Sequence, residues 1–405
     1  MERFNSWQEA VTFGEMPGEA ARKWGAREAL VFEGRRYSFA EVDREVDRAA
    51  RALMAAGVGA GEHVALWLNN RADWVFIAYA VMKIGAVLVP VNTRFRTHDL
   101  DYVLRQSDSV MLITHDVSGP IDYLAMVREV VRLPEDGGRI SDPNFPELRN
   151  VVILGEDGHP GVIDWQEALV SGGGVPVADV EGRAAAVHPD DPALIMYTSG
   201  TTGFPKGAMH CHNLVRNVED RGFRFNITPN DVILGYLPLF HAFGFSEAML
   251  MSLATGAKHI VTETFDPDEC IGLIESEGVS IIHGFDAHVK GLCEAQEANP
   301  RDLSTLRTGV FGAGPLSARP VLYRGAKTLA PMHSLSGFGM TETWIGVSLN
   351  GLDDSPEQRL EANGTVSPGY EFRVADPESA EVRPVGEEGE LQTRGRYLMT
   401  VSYTH

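Results

Sequence analysis

The stretch YTSGTTGFPKG, Tyr197 to Gly207, carries four hydroxyl donors in Thr198, Ser199, Thr201 and Thr202, the small residues Gly200, Gly203 and Gly207, and one cation, Lys206. Glycines let backbone N–H groups come close to an anion at φ values closed to other residues. Hydroxyls add donors, and a lysine adds a point charge worth roughly 4 kcal/mol against a unit charge about 4 Å away at an effective dielectric near 20. Such a loop suits a chain of phosphates. It is not the Walker loop, because Lys206 precedes its glycine and Pro205 stiffens the approach.

Three further sites have chemistry to offer. Thr341-Glu342, within SGFGMTET, pairs a hydroxyl with a hard carboxylate oxygen of the kind Mg²⁺ takes. His241 follows a short apolar strand in LPLFHAFG, and its imidazole can serve an anion as a donor. His210-Cys211-His212 invites a metal reading, but histidines two apart fit a strand better than a helix, and no further ligand cluster lies nearby. Gly57, Gly59 and Gly61 end a helix and precede a strand, the reverse of the dinucleotide fingerprint.

Alternating elements must position these residues. Ser38 and Glu41 form a capping box, after which Val42, Val46, Ala49 and Leu53 recur at helical spacing until Gly57. The pattern then predicts a strand over 63–69, a helix over 72–84, a strand over 86–92, a helix over 97–106 and a strand over 110–114. It restarts with strands over 193–197, 232–237, 259–262, 280–282 and 309–311, separated by helices. Alternation of this kind argues for parallel sheets covered by helices. The glycine-rich loop is expected where a strand ends and a helix begins. After about 343 helical periodicity fades into short β segments. The expected fold is α/β: two stacked αβαβα-type units, approximately 1–185 and 186–343, with a small distorted β-barrel over 344–405.

Composition narrows the classes. Of 405 residues, 44% are hydrophobic, enough for a large core, and the formal charge of −21 is spread along the chain. A nucleic-acid partner is not expected without a basic stripe. Three scattered cysteines give no disulfide framework and fit a reducing compartment. No secretory signal is evident in MERFNSWQEAV, and the most apolar run, 75–91, is broken by Lys83, Gly85 and Pro90, so no transmembrane segment is expected. A cytoplasmic location is the default, and a homo-oligomer is left open.

At this point the chain resembles the adenylate-forming superfamily of acyl-CoA synthetases, peptide-synthetase adenylation domains and luciferases. YTSGTTGFPKG is similar to its signature loop, and LPLFHAFG, FGAGPLS, SGFGMTET and GELQTRG follow in the family's order. The resemblance implies that a carboxylic acid is joined to the α-phosphate of ATP, releasing pyrophosphate, and is then passed to a thiol of CoA or of a carrier protein. It implies ATP, Mg²⁺ and CoA as cofactors and a small-molecule acid as substrate. The loop would grip the β- and γ-phosphates, Thr341 would bond the α-phosphate, and Glu342 would ligate Mg²⁺. Gly312, Ala313, Gly314 and Pro315 would line the base, along with Gly337, Phe338 and Gly339. Phe338 stands where the family usually has tyrosine, and stacking needs only the ring. His241 would border the acyl carboxylate. Amino-acid-activating relatives carry aspartate there, so the resemblance favours an acid without an α-amino group. Phe243, Phe245, Gly284, Phe285 and His288 are candidates for its tail.

The match also departs from the family. ANGTVSPGYEF, at 362–372, has a shortened spacing between Val366 and Pro368. The family's ribose-binding aspartate, hinge and small C-terminal domain with its lysine follow GELQTRG, whereas this sequence ends at His405. The resemblance therefore implies a large N-terminal domain alone, with impaired turnover, or a protein that binds nucleotide without turning it over.

Overall fold

Strands buried on both faces build the first of two sheets in the computed structural model, which describes residues 11–135, 138–155, 158–198, 205–312 and 319–403. Val64 and Leu66 of the strand His63–Trp67 join one core, while Ala65 and Trp67 join another on the opposite face. Alternation between two cores is the signature of a strand covered by helices on either side. Around it run Val87–Pro90, Ser109–His115, Asn150–Leu154 and Ile163–Asp164, all parallel, with Pro192–Thr198 parallel to Val87–Pro90. Two antiparallel strands, Lys206–Cys211 and Val401–Tyr403, complete that edge.

Among the described residues the second sheet also has eight strands, mostly parallel, including Val232–Gly235, Lys258–Val261, Ile281–Ile282 and Thr308–Gly312. The helix Ala72–Lys83 lies between the sheets, packed on His63–Trp67 of one and Glu28–Phe32 of the other. That placement explains why it buries ten of its twelve residues.

Several expectations hold closely. Ser38 accepts from the Glu41 N–H and the Glu41 carboxylate returns the bond, opening the helix Phe39–Ala55. The helix Thr97–Gln106 has the predicted bounds. No described helix is long and apolar enough to cross a membrane, and the three cysteines are free and buried.

Three differences have physical reasons. The glycine-rich loop joins two antiparallel strands, with Thr198 opposite Lys206, and does not lead into a helix. Residues 206–211 are nearly all buried against the sheet, so the chain pairs before it turns helical at His212. The hairpin of Glu28–Phe32 and Arg35–Ser38 joins the second sheet, and Pro192–Thr198 joins the first, so strands from either side of residue 185 share each sheet. Beyond 343 the expected small β unit is open. Gly337–Phe338, Ser348–Leu349 and Thr365–Val366 form one sheet, and Tyr370–Ala375 with Glu390–Gly395 another, with no closed barrel among the described residues.

Candidate functional site

Both ends of the glycine-rich loop are tied to one helix. The Tyr197 hydroxyl donates to the Gln106 side chain, and the Tyr102 hydroxyl donates to the Pro205 carbonyl at 3.0 Å. Tyr102 and Gln106 stand four residues apart on Thr97–Gln106 and so share a face. Between these anchors, Ser199, Gly200, Thr201, Thr202 and Gly203 lie outside the described residues.

Thr198, the last residue of the strand, reaches a cavity of about 440 Å³. Its hydroxyl lies 3.4 Å from Oε1 of Glu342 and 3.4 Å from the Lys206 carbonyl. The start of the loop and the TET segment, 144 residues apart in sequence, thus meet on one wall. Thr341, His241 and Gly312 line the same cavity. Lys206 is half-buried and pairs with Thr198 through the backbone, but does not itself line the cavity. Ala313, Gly314 and Pro315 lie outside the described residues.

The Thr341-Glu342 turn is held under strain. Trp344, which closes the short 3₁₀ turn Thr341–Thr343, has φ +59° and ψ 178°, a region that residues other than glycine rarely adopt. Four bonds oppose relaxation. The Trp344 N–H donates to the Thr341 carbonyl at 3.1 Å, and the Thr343 hydroxyl donates to the Trp344 carbonyl at 3.0 Å. The Tyr370 hydroxyl donates to the Thr343 carbonyl at 2.7 Å, and the Met399 N–H to the Glu342 carbonyl at 2.8 Å.

His210 adds a fifth. A carbonyl can only accept, so His210 Nε2–H donates to the Thr341 oxygen at 2.7 Å, while the ring stands edge-on to Trp344. Burial lowers its pKa to about 4, so the ring is neutral near pH 7. His212 instead accepts from the Phe13 N–H at 3.2 Å. The two histidines serve different neighbours, and no metal-holding group of three such side chains occurs among the described residues.

His241 caps the next short turn, its Nδ1 accepting from the Phe243 N–H at 3.2 Å. Burial among surrounding atoms lowers its pKa, although the ring is open to the cavity. A neutral ring with Nδ1 accepting carries its proton on Nε2, available as a donor.

The glycines of SGFG have a packing cause. A Cβ on Gly337 would fall 2.4 Å from Leu349 Cδ2, and one on Gly339 would fall 2.9 Å from the Gly346 nitrogen. Both still line the cavity, as does Phe338, whose ring meets Phe372 edge-on at 6.2 Å. Of the residues expected around the acid's tail, Phe243 and Phe285 line the cavity. Phe245 is instead wholly buried against Trp74 and Trp344. His288 stacks on Tyr236, and Gly284 packs against His288 and the Tyr236 hydroxyl, so neither reaches the cavity. Sequence reasoning missed Val310, Ile345, Leu349 and Glu247. An acid inside the apolar run FGFSEAMLMSL was the signal for the last of these.

Comparison with known proteins places the chain in a family. The family model described as AMP-binding enzyme matches residues 18–403. A Bacillus subtilis (strain 168) protein named as a candidate acyl-CoA synthetase, YngI, is 30% identical over 397 residues, 97% of this chain and 72% of its own length. Acyl-CoA ligase sidI of Aspergillus fumigatus is 30% identical over 398 residues, 97% of this chain and 66% of that protein. Among solved structures, the anthranilate CoA ligase AuaEII in complex with anthranoyl-AMP superposes with a TM-score of 0.85 at 22% identity, covering 98% of this chain and 72% of that one. The N-terminal domain of FACL13 from Mycobacterium tuberculosis gives 0.80 at 22% identity, covering 98% and 92%. At such identity these two establish the fold alone.

Proposed function

The chain belongs to the AMP-binding enzyme family, and from that premise we propose that it activates a small carboxylic acid with ATP and passes the acyl group to the thiol of CoA. The single observation that carries this reading is the meeting of Thr198 and Glu342, 3.4 Å apart, in a cavity that also holds His241 and apolar walls. In the first step an acid oxygen attacks the α-phosphorus of ATP; the bond to the β-phosphate breaks, and pyrophosphate leaves. In the second, a thiolate attacks the acyl carbon and AMP leaves with the carboxyl oxygen.

Each residue has a part suited to its place. His241 donates from Nε2 to the acid's carboxylate, offsetting the repulsion between two anions that must meet in line. Thr341 bonds the α-phosphate from the strained turn. The loop from Thr198 to Lys206 holds the outer phosphates. Glu342 fits a Mg²⁺ ligand, since no described cation pairs with its carboxylate and Mg²⁺ takes one or two protein carboxylates beside phosphate oxygens. Bound there, the ion would neutralise charge on the phosphates.

Pyrophosphate exchange with a panel of carboxylic acids tests the reading. Exchange that depends on a particular acid supports it; no exchange with any acid from a chain that binds ATP contradicts it. Two substitutions refine the test. Lys206→Ala weakens ATP binding about tenfold or more, as expected for losing one charge-assisted bond. His210→Phe keeps the ring beside Trp344 but loses the bond to Thr341. It raises the Mg²⁺ concentration for half-maximal ATP binding about tenfold, by analogy with residues that orient metal ligands, and also weakens Mg²⁺-free binding, because Thr341 at the α-phosphate loses the bond that holds it. Equal Mg²⁺ dependence in His210→Phe and the parent would mean that His210 serves packing only.

A further inference from the structure

The cavity has a polar floor that the reaction above does not use. Phe243, Phe285, Val310, Ile345 and Leu349 give it apolar walls, and Glu247 stands among them. Glu247 lies in the π-helical turn Phe245–Leu250, all six residues of which are buried, and is itself 2% exposed. Its Oε1 accepts from Arg221 Nε at 2.6 Å, but its Oε2 has no hydrogen-bond partner.

Arg221 cannot turn to cover that oxygen. The guanidinium is 1% exposed, and its other nitrogens are engaged: Nη1 with the Asn217 side chain and carbonyl and, at 3.2 Å, the Ile345 carbonyl, and Nη2 with the Ser246 hydroxyl. A buried carboxylate oxygen without a donor is costly, because it has given up water and gained nothing in exchange. Among the described residues no side chain or backbone N–H supplies the donor. A molecule in the cavity can.

We propose that Glu247 is the distal anchor of the acid-binding cavity, and that the preferred acid carries a neutral hydrogen-bond donor, a hydroxyl, at the end away from its carboxylate. The proposal rests on reading the cavity as the acid's site. A neutral donor fits better than an ammonium because Arg221 already balances the charge of Glu247, and a second cation would be buried without a partner of its own. A plain alkyl end would leave Oε2 dry and unbonded. Sites built around a buried hydrogen-bonding group discriminate strongly against ligands that lack its partner.

Matched pairs of acids test this, each pair an ω-hydroxy acid and the alkanoic acid with a methyl group in place of the hydroxyl, taken through a length series. Binding is read by calorimetry in the presence of ATP and Mg²⁺, and turnover by pyrophosphate exchange. At the best-fitting length the hydroxy acid is preferred at least tenfold in both. The paired replacement Arg221→Met with Glu247→Leu removes both charges together and shifts the preference toward the alkanoic acid. Equal handling of both acids by the parent chain overturns the proposal, whether or not the paired variant folds. A preference that survives in a folded paired variant also overturns it. Failure of every acid to bind or exchange overturns the proposed function as well, whereas exchange without preference overturns only the assignment of Glu247.

Discussion

Glutamine in place of Glu342 lowers acid-dependent pyrophosphate exchange by about a hundredfold or more, the scale on which removal of one group stabilising transition-state charge is felt. The substitution is nearly isosteric. The main chain at 342 stays pinned by the Met399 N–H at 2.8 Å, and the amide oxygen can still meet the Thr198 hydroxyl. What disappears is the negative charge that a divalent cation would seek. Calorimetric titration of ATP separates the two effects: without Mg²⁺ the variant and parent bind alike, and with Mg²⁺ only the parent gains affinity. Thermal unfolding moves little, since Glu342 makes no ion pair among the described residues whose loss would be felt. An equal gain in both proteins would remove Glu342 from the metal site.

Alanine at Arg221 produces the largest loss of stability, about 3–5 kcal/mol, because it strands Glu247 as an uncompensated buried charge. The deficit has a second source. Gly346, at φ +73°, packs its backbone so closely on the arginine stem that a Cβ there would lie 2.5 Å from Arg221 Cδ. The segment that follows the turn bearing Thr341 and Glu342, at Ile345 and Gly346, therefore rests on this side chain, and its loss leaves a void beneath that segment. Burial already pushes the Glu247 carboxyl above its ordinary range, with Arg221 opposing. Without the arginine the folded state favours the protonated acid more strongly. Such a group destabilises the fold increasingly as pH rises above the unfolded carboxylate value, so the deficit of Arg221→Ala shrinks on acidification. Denaturation midpoints of the variant and parent across the acid range check both the size and the slope. The paired replacement of Arg221 by Met and Glu247 by Leu stays near the parent in stability, since two apolar side chains leave no charge behind.

Much of the molecule was legible where local chemistry decides the outcome. The Ser38–Glu41 box and the helix over 97–106 follow from capping and period, which need no knowledge of distant neighbours. Thr198, His241, Thr341 and Glu342 were singled out by residue type and motif order, and they share one cavity. What the sequence did not reveal depends on long-range pairing. The loop looked like a strand-to-helix turn because Lys206–Cys211 carries no β-branched residue, and only its partners, Pro192–Thr198 on one side and Val401–Tyr403 on the other, make it a strand. Likewise nothing local says that Glu28–Phe32 crosses to the sheet of Lys258–Val261. The glycines of SGFG were legible as important but for a different reason, since close backbone packing on 344–349 accounts for them. Glu247 was overlooked because its meaning comes from Arg221, 26 residues earlier, and from the cavity it faces together with Ile345 and Leu349.

The most direct test of the account is a crystal structure with ATP and Mn²⁺, whose anomalous scattering locates the ion without ambiguity. The account predicts a metal bound to a Glu342 carboxylate oxygen at about 2.1–2.2 Å, close to the Mg²⁺ distance, with the outer phosphates against the segment from Thr198 to Lys206 and the α-phosphate at Thr341. A triphosphate seated elsewhere, or a metal that leaves Glu342 untouched, would contradict it.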